Sequence, residues 1–283
     1  MAPESSPTVN RRRLATELRK CREAAGLTID AVADTLEWSS AKISRIENSR
    51  VSVLPRDVKH LLRTYGLTED HDDWEPMLAL SRASRQRGWW HEYGTAIPEF
   101  FEVYVGLESD AVSISAYHAE FVPGLAQTED YASALIRAKL ADVSDLERIV
   151  KVRMERQRLL TSAEGPHVWY VLNEAVVRRV VGGREVMKRQ LEQLLAVADL
   201  PRVELQVLPF GAGAHAAMDG SFSLLTFPEP RDPRVVYVEY MTGALYIEKP
   251  SDTERYKLAV DHLRASALSM DASRALIAGI VEQ

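Results

Sequence analysis

A chain of 283 residues, 46% apolar and 27% charged, is long enough for two or three globular domains, and its composition excludes a fibrous, low-complexity or wholly disordered protein. The formal net charge of −6 is unevenly spread: residues 1–67 carry 12 Lys plus Arg against 8 Asp plus Glu, and residues 68–283 carry 23 against 33, which marks a nucleic-acid end on an acidic body. One cysteine, Cys21, excludes an internal disulfide, and with no apolar run of the ~18 residues a membrane span needs and no signal-peptide core, a cytoplasmic protein is expected.

Residues 1–10, with Pro and Ser and little apolar content, read as a disordered arm. Residues 11–25 are periodic, with Leu14, Leu18 and Cys21 on one helical face, and Gly26 stops the helix. Thr28 is placed to cap a second helix that buries Val32, Ala33 and Leu36. Glu37 and Trp38 connect it to a third helix, capped by Ser39, with Ile43 and Ile46 turned inward. Pro55 opens a fourth helix, where its missing N–H costs nothing, and Val58, Leu61, Leu62 and Tyr65 close the bundle before Gly66. Residues 11–67 therefore form an all-α domain around a helix-turn-helix whose second helix suits a DNA major groove.

Burying Ile43 and Ile46 leaves Ser40, Ala41, Ser44 and Arg45 outward or lateral. Short side chains let a helix approach base edges, hydroxyls hydrogen-bond to them, and an Ala can touch a thymine methyl. Ser39, Ser40, Ala41, Lys42, Ser44, Arg45 and Arg50 are the candidate DNA contacts, with Thr28 at the second helix start. Arg11, Arg12 and Arg13 suit a phosphate strand or the minor groove; the plain alternative is a solvated helix start. Arg45 has a plain alternative too, an ion pair with Glu37 or Glu47. Replacing Lys42 and Arg45 by Ala is expected to abolish operator binding without unfolding the chain.

The stretch GLTIDAVADTLEWSSAKISRIENSR resembles the xenobiotic-response-element-type regulators, relatives of the lambda repressor and Cro. The run SRIE, Ser44 to Glu47, matches that pattern well. The resemblance implies that Glu47 is structural, bracing the end of the recognition helix. Two positions depart from it: the turn is Glu37-Trp38 where the family usually has Gly, and Ile29 stands where a Gln usually grips the phosphates.

Residues 68–96 read as an acidic linker and a bridging helix at 75–87, ending in Gly88-Trp89-Trp90. Residues 97–283 read as a larger α+β domain. Its expected helices lie at 97–106, 130–139, 145–160, 174–181, 185–198, 253–267 and 271–281, and its expected strands at 111–118, 168–172, 203–208, 222–227, 235–241 and 244–248. Gly211-Ala212-Gly213 reads as a flexible loop.

This body resembles the C-terminal domain of the Scr1-type actinobacterial regulators. The matching runs include WWHEY (89–93), FVPGLAQTEDYA (121–132), RMERQRLL (153–160), LNEAVVRRVVGG (172–183) and VELQVLPFGAGAH (203–215). The resemblance implies a role in transcription, and genes of this type that often sit beside one for a small partner protein, in pairs described as toxin–antitoxin-like.

No H-E-x-x-H, C-x-x-C or nucleophile-elbow motif joins the body's His and Glu residues, so neither a metal, a cofactor nor a catalytic residue is expected. Trp89, Trp90 and Tyr93, with Arg153 and His215, are the candidates for a ligand or partner surface. Their plain alternatives are a domain-seam core for the tryptophans and a solvated, ion-paired helix face for Arg153, Arg156 and Arg158 with Glu147 and Glu155. The first expectation is a sequence-specific DNA-binding regulator acting as a homodimer on an inverted repeat, its body supplying regulation. The rivals are an antitoxin-like protein that sequesters a small partner and autoregulates its operon, and a sensor of a small-molecule effector.

Overall fold

The computed structural model describes residues 6–139, 144–228 and 233–283. The chain divides into two compact units, Met1–His91 and Glu92–Gln283.

Among the described residues the first unit has five α-helices: α1 (Pro7–Ala24), α2 (Ile29–Leu36), α3 (Ser40–Glu47), α4 (Pro55–Thr64) and α5 (Trp74–Ala83). Their core joins Leu14 and Leu18 of α1, Val32 and Ala33 of α2, Ile43 and Ile46 of α3, and Val58, Leu61 and Leu62 of α4. Cys21 and Leu36 pack on its margin. Side-chain caps fall where hydroxyls precede a helix: Thr28 accepts from the Ala31 N–H at 3.1 Å and Ser39 from the Lys42 N–H at 3.2 Å.

Two boundaries differ from the sequence reading. The expected disordered arm reached Asn10, but α1 begins at Pro7, with Ser6 as its cap and Thr8, Val9 and Asn10 buried; Met1 to Ser5 lie outside the described residues. Pro at the first helical position is a start signal, and Pro7 supplies it. The expected bridging helix is α5, and it belongs to the first unit's core through Trp74, Met77 and Leu78.

The second unit is built on one six-stranded mixed sheet of order β3-β2-β1-β4-β5-β6, with β1 (Ser113–His118), β2 (His167–Asn173), β3 (Val203–Leu208), β4 (Phe222–Thr226), β5 (Val235–Tyr240) and β6 (Gly243–Ile247). β1, β2 and β3 run parallel, in register Tyr117 to Val171 and Val171 to Gln206, and the remaining pairs are antiparallel. The parallel connections carry helices, as they must to return to the same end of the sheet: α7 (Glu129–Lys139), α8 (Leu146–Arg156) and α9 (Arg158–Thr161) lie between β1 and β2, and α10 (Glu174–Arg178) and α11 (Arg184–Val197) between β2 and β3. α6 (Glu99–Asp110) precedes β1, and α12 (Pro250–Ser266) and α13 (Met270–Val281) follow β6.

Period-2 alternation divides the sheet into two buried faces. Tyr117, Val171, Phe222, Leu224 and Val236 pack with Val260 and Leu263 of α12. The opposite face presents Ile114, Ala116, Tyr170, Leu172, Leu225 and Tyr237, with Tyr237 in ring contact with Tyr104 of α6 at 4.2 Å. At the β3 edge, Val207 donates its N–H to Ser273 Oγ of α13 at 2.8 Å and accepts from the Leu268 N–H at 2.9 Å, so backbone groups at that edge are covered.

Candidate nucleic-acid interface

α3 owes its placement to what it buries. Ile43 and Ile46 are at most 2% exposed, and removing two such side chains from water contributes roughly 3–6 kcal/mol. Glu47 is also buried, and Arg22 of α1 meets it with a bidentate pair, Nε to Oε1 at 2.7 Å and Nη2 to Oε2 at 2.9 Å. Arg22 also donates Nη1 to the Leu27 carbonyl at 2.7 Å, tying α1 to the entry of α2 as well as to the end of α3. The Glu47 hydrogen bond, working against desolvation, raises the Arg22 pKa above its usual value. Glu47 thus has the bracing role that its place in SRIE implied, and Arg45 pairs with neither Glu37 nor Glu47.

With that side fixed, Ala41, Arg45, Asn48 and Arg50 are exposed and Ser40, Lys42 and Ser44 half-buried. Ser39 is exposed as the cap of α3. Ser40 donates its hydroxyl to Asp30 Oδ1 at 2.5 Å, joining the first turn of α3 to that of α2. Arg45 folds back only as far as the Ala41 carbonyl, with Nε at 3.3 Å, so its outer nitrogens stay available. Asn48 donates Nδ2 to the Ser44 carbonyl at 2.8 Å and touches the Ser44 hydroxyl at 3.3 Å. Asn48 was missed in the sequence because it follows the last turn, yet it shares the Ser44 side of the helix.

Two candidates stand otherwise than expected. Lys42, half-buried, is engaged at the α3–α4 seam: its Nζ lies 3.2 Å from Asp57 Oδ2 and 3.2 Å from the centre of the Trp38 ring. An acidic residue at the third position of α4 and an aromatic in the turn compete for the cation a duplex would need. Arg12 is buried at 8% exposure, because α1 begins before it and turns it inward; Arg11 and Arg13 are half-buried. Thr28 is exposed, with its oxygen already accepting from Ala31.

The turn before α3 is made by Glu37 in the left-handed region, φ 53° and ψ 36°, after which the Trp38 N–H donates to the Ala33 carbonyl at 2.9 Å. A glycine would adopt this conformation without a Cβ clash, and the departure from glycine is absorbed as local strain.

The ligand or partner candidates fall in different units. Trp90 is buried, edge-on to Trp89 at 6.0 Å and stacked with His91 at 5.5 Å, and both tryptophans belong to the first unit, whereas Tyr93 belongs to the second. His215 lies on the α12 side of the sheet, its Nε2 3.3 Å from the Tyr117 hydroxyl, and Asn173 Nδ2 donates to the same hydroxyl at 3.2 Å. The loop before His215 is partly ordered by a 3-10 turn at Phe210–Ala212, where Phe210 donates its N–H to Glu174 at 2.8 Å. The expected solvated face of residues 145–160 is corrected: Arg156 is 4% exposed and makes a bidentate pair with Glu108 of α6, both bonds 2.7 Å. Arg153 turns to Gln127 at 2.7 Å, and of these three arginines it is Arg158 that keeps a partner on the same stretch, Glu155. Among the described residues no group of three His, Cys, Asp or Glu could hold a metal, and no helix is long and apolar enough to cross a membrane.

Residues 13–74 match the helix-turn-helix domain family, and residues 101–279 match a family described as a domain of unknown function, DUF5753. Comparison with curated proteins and with solved structures returns no match.

Proposed function

The chain belongs to the DUF5753 family, with a helix-turn-helix domain ahead of that domain, and from this premise we propose that it regulates transcription as a homodimer on an inverted-repeat operator, reading bases through α3. The domain composition is that of a DNA-binding transcriptional regulator with a C-terminal regulatory domain, in the arrangement of the xenobiotic-response-element-type proteins with a Scr1-like body, and not that of an enzyme family. Work on chromosomal DNA puts it in the cytoplasm, where Cys21 stays a thiol.

The observation that carries the reading is the division of α3 into a braced side and an open side. Ile43, Ile46 and Glu47 are spent on the fold, and Ala41, Ser44, Arg45 and Asn48 are not. Arg45 is the base reader in this proposal, with Ser39, Ser40 and Ser44 beside it, Arg50 and the start of α2 at Thr28 on phosphates, and Arg11 and Arg13 as further phosphate contacts. Lys42 is a support of the α3–α4 seam, and Arg12 is left out.

The test selects the operator from random duplexes with the full chain and then titrates it at fixed salt. Arg45→Ala is expected to weaken binding by about 1–3 kcal/mol, roughly 5- to 160-fold, and to relax preference at one base position, with an unchanged circular dichroism spectrum. An unchanged affinity would remove α3's open side as the reading face.

A protein partner, whether a second copy or the small neighbour of an antitoxin-like pair, has one observation in its favour. Tyr240, Met241 and Leu245 are exposed at the β5–β6 edge, Met241 almost fully at 99%. An edge strand flanked by bare apolar side chains suits strand pairing. A second copy on this edge would give a two-fold dimer.

A further inference from the structure

The two edges of the sheet are finished differently. At β3 the backbone is covered by Ser273 of α13 and by Leu268, whereas β6 ends the sheet on the other side. β6 follows β5 through the turn Met241-Thr242, with Tyr240 opposite Gly243. Opposed residues in an antiparallel pair alternate between exchanging both backbone hydrogen bonds and exchanging none. The turn-closing pair Tyr240–Gly243 bonds, so Val238–Leu245 and Val236–Ile247 bond too, and the N–H and C=O of Ala244 and Tyr246 point away from β5. Among the described residues no backbone group outside the β5 ladder meets them.

The strand carries no guard against pairing. Edge strands are blunted by charges, prolines or bulges, and Gly243-Ala244-Leu245-Tyr246-Ile247 has none of these in its continuous register with β5. Leu245 is 54% exposed. By alternation it shares a face with Gly243 and with Ile247, which packs on the α12 side of the sheet. The Tyr240 ring lies across Gly243, its hydroxyl 2.8 Å from where a Cβ would stand. On the opposite face Tyr246 donates its hydroxyl to the Phe100 carbonyl of α6, which holds the edge in place.

We propose that β6 pairs antiparallel with β6 of a second copy about a two-fold axis at Leu245, joining two six-stranded sheets into one. This names the joint of the homodimer proposed above and rests on that reading. Self-complementarity favours a second copy over any other chain. With Leu245 on the axis, Ala244 of each copy faces Tyr246 of the other, and every outward N–H and C=O of both strands is used. Centring the pair on Ala244 or Tyr246 sends one of these residues against the turn or past the strand end, and a one-residue slip sets outward groups against inward ones. Leu245 then meets its own copy in a non-bonded pair, the closer kind, and Gly243 with its covering Tyr240 ring meets Ile247. No like charges are opposed, because Glu248 and Lys249, the first charged residues past the strand, fall opposite Thr242 and Met241. So short a strand makes an interface of roughly 1,000–1,200 Å², at the small end of specific ones, and a dimer Kd on the order of 10 μM is expected.

Sedimentation equilibrium of the full chain without DNA, up to a concentration about tenfold above that Kd, tests the joint. The unaltered chain is expected to pass from monomer to dimer. Leu245→Lys sets two cations against each other at the axis and should raise the Kd at least about tenfold, while Leu258→Lys, at a similarly exposed leucine of α12, should not. Cross-linking reads the register. Leu245→Cys is expected to form a disulfide between copies under mild oxidation, since Cα atoms of a non-bonded pair lie about 4.5 Å apart, within disulfide reach. Met241→Cys, although 99% exposed, is not, because in this register the two tips stand roughly 27 Å apart at about 3.4 Å per residue. The unaltered chain, with Cys21 as its thiol, sets the background. A chain that stays monomeric throughout overturns the joint and the homodimer together. A dimer that Leu245→Lys leaves intact, or one that cross-links no faster through Leu245→Cys than through Met241→Cys, overturns the joint and leaves pairing on the operator standing.

Discussion

Glu37 shows how one residue sets the entry to α3, the helix proposed to read bases. Its left-handed backbone turns the chain from α2 into α3, and for a residue with a Cβ that conformation costs roughly 1–2 kcal/mol. Glycine would avoid that cost and lose about 0.5–1 kcal/mol through the freer unfolded chain. The difference favours glycine, so Glu37→Gly is expected to stabilise the first unit by about 0.5 kcal/mol, read as a higher urea midpoint for its unfolding; a lowered midpoint would mean that the Glu37 side chain holds the turn in a way its exposure does not suggest. The Arg22–Glu47 pair has the opposite character. Both side chains are at most 10% exposed, and removing one partner of a buried pair typically costs 3–5 kcal/mol because the other charge is stranded. The residue that departs from the family pattern is thus cheap to change, and the residue that keeps it is not.

The helices and strands were legible where periodicity and caps agree. Thr28, Ser39, Pro55 and Gly66 mark real boundaries, and all six strands fall within two residues of where alternation placed them. What could not be read were contacts between distant elements. Arg156 finds Glu108 across 48 positions, whereas local spacing offered Glu147 and Glu155. Lys42 finds Asp57 across the α3–α4 loop, a pairing that sequence distance hides. The domain boundary failed for a related reason: the acidic stretch before Trp74 looks like a linker, although the helix after it completes the core. Trp74, Met77 and Leu78 are each at most 2% exposed, and burying three such side chains contributes roughly 5–9 kcal/mol, comparable to the whole stability of a small domain. A fragment of residues 1–67 should therefore lack a cooperative thermal transition by far-ultraviolet circular dichroism, while residues 1–86 should melt cooperatively. Cooperative melting of the shorter fragment would show that α5 is dispensable to the fold.

At the scale of the whole molecule, charge and valency decide together. The second unit, residues 92–283, carries 28 acidic against 20 basic residues, so it opposes the approach of a duplex that the basic start of the first unit invites. One head has few free cations, because Arg22 and Lys42 serve the fold and Arg12 is buried. A single module should bind weakly and, with few phosphates neutralised, with a shallow salt dependence. In the proposed dimer two heads joined through their bodies would change this, since the second contact would become intramolecular and gain from a raised effective concentration. The full chain is then expected to bind an inverted repeat, with half-sites about 34 Å apart on one face of the duplex, at least about 100-fold more tightly than one half-site at the same salt. Moving the half-sites apart by half a helical turn puts them on opposite faces and should remove most of that gain. Residues 1–86 alone should bind repeat and half-site almost equally, because the body proposed to join the two copies is gone. Fluorescence anisotropy against the three duplexes measures all of this, and a full chain indifferent to the second half-site would make it a monomeric reader whose acidic body serves something other than pairing.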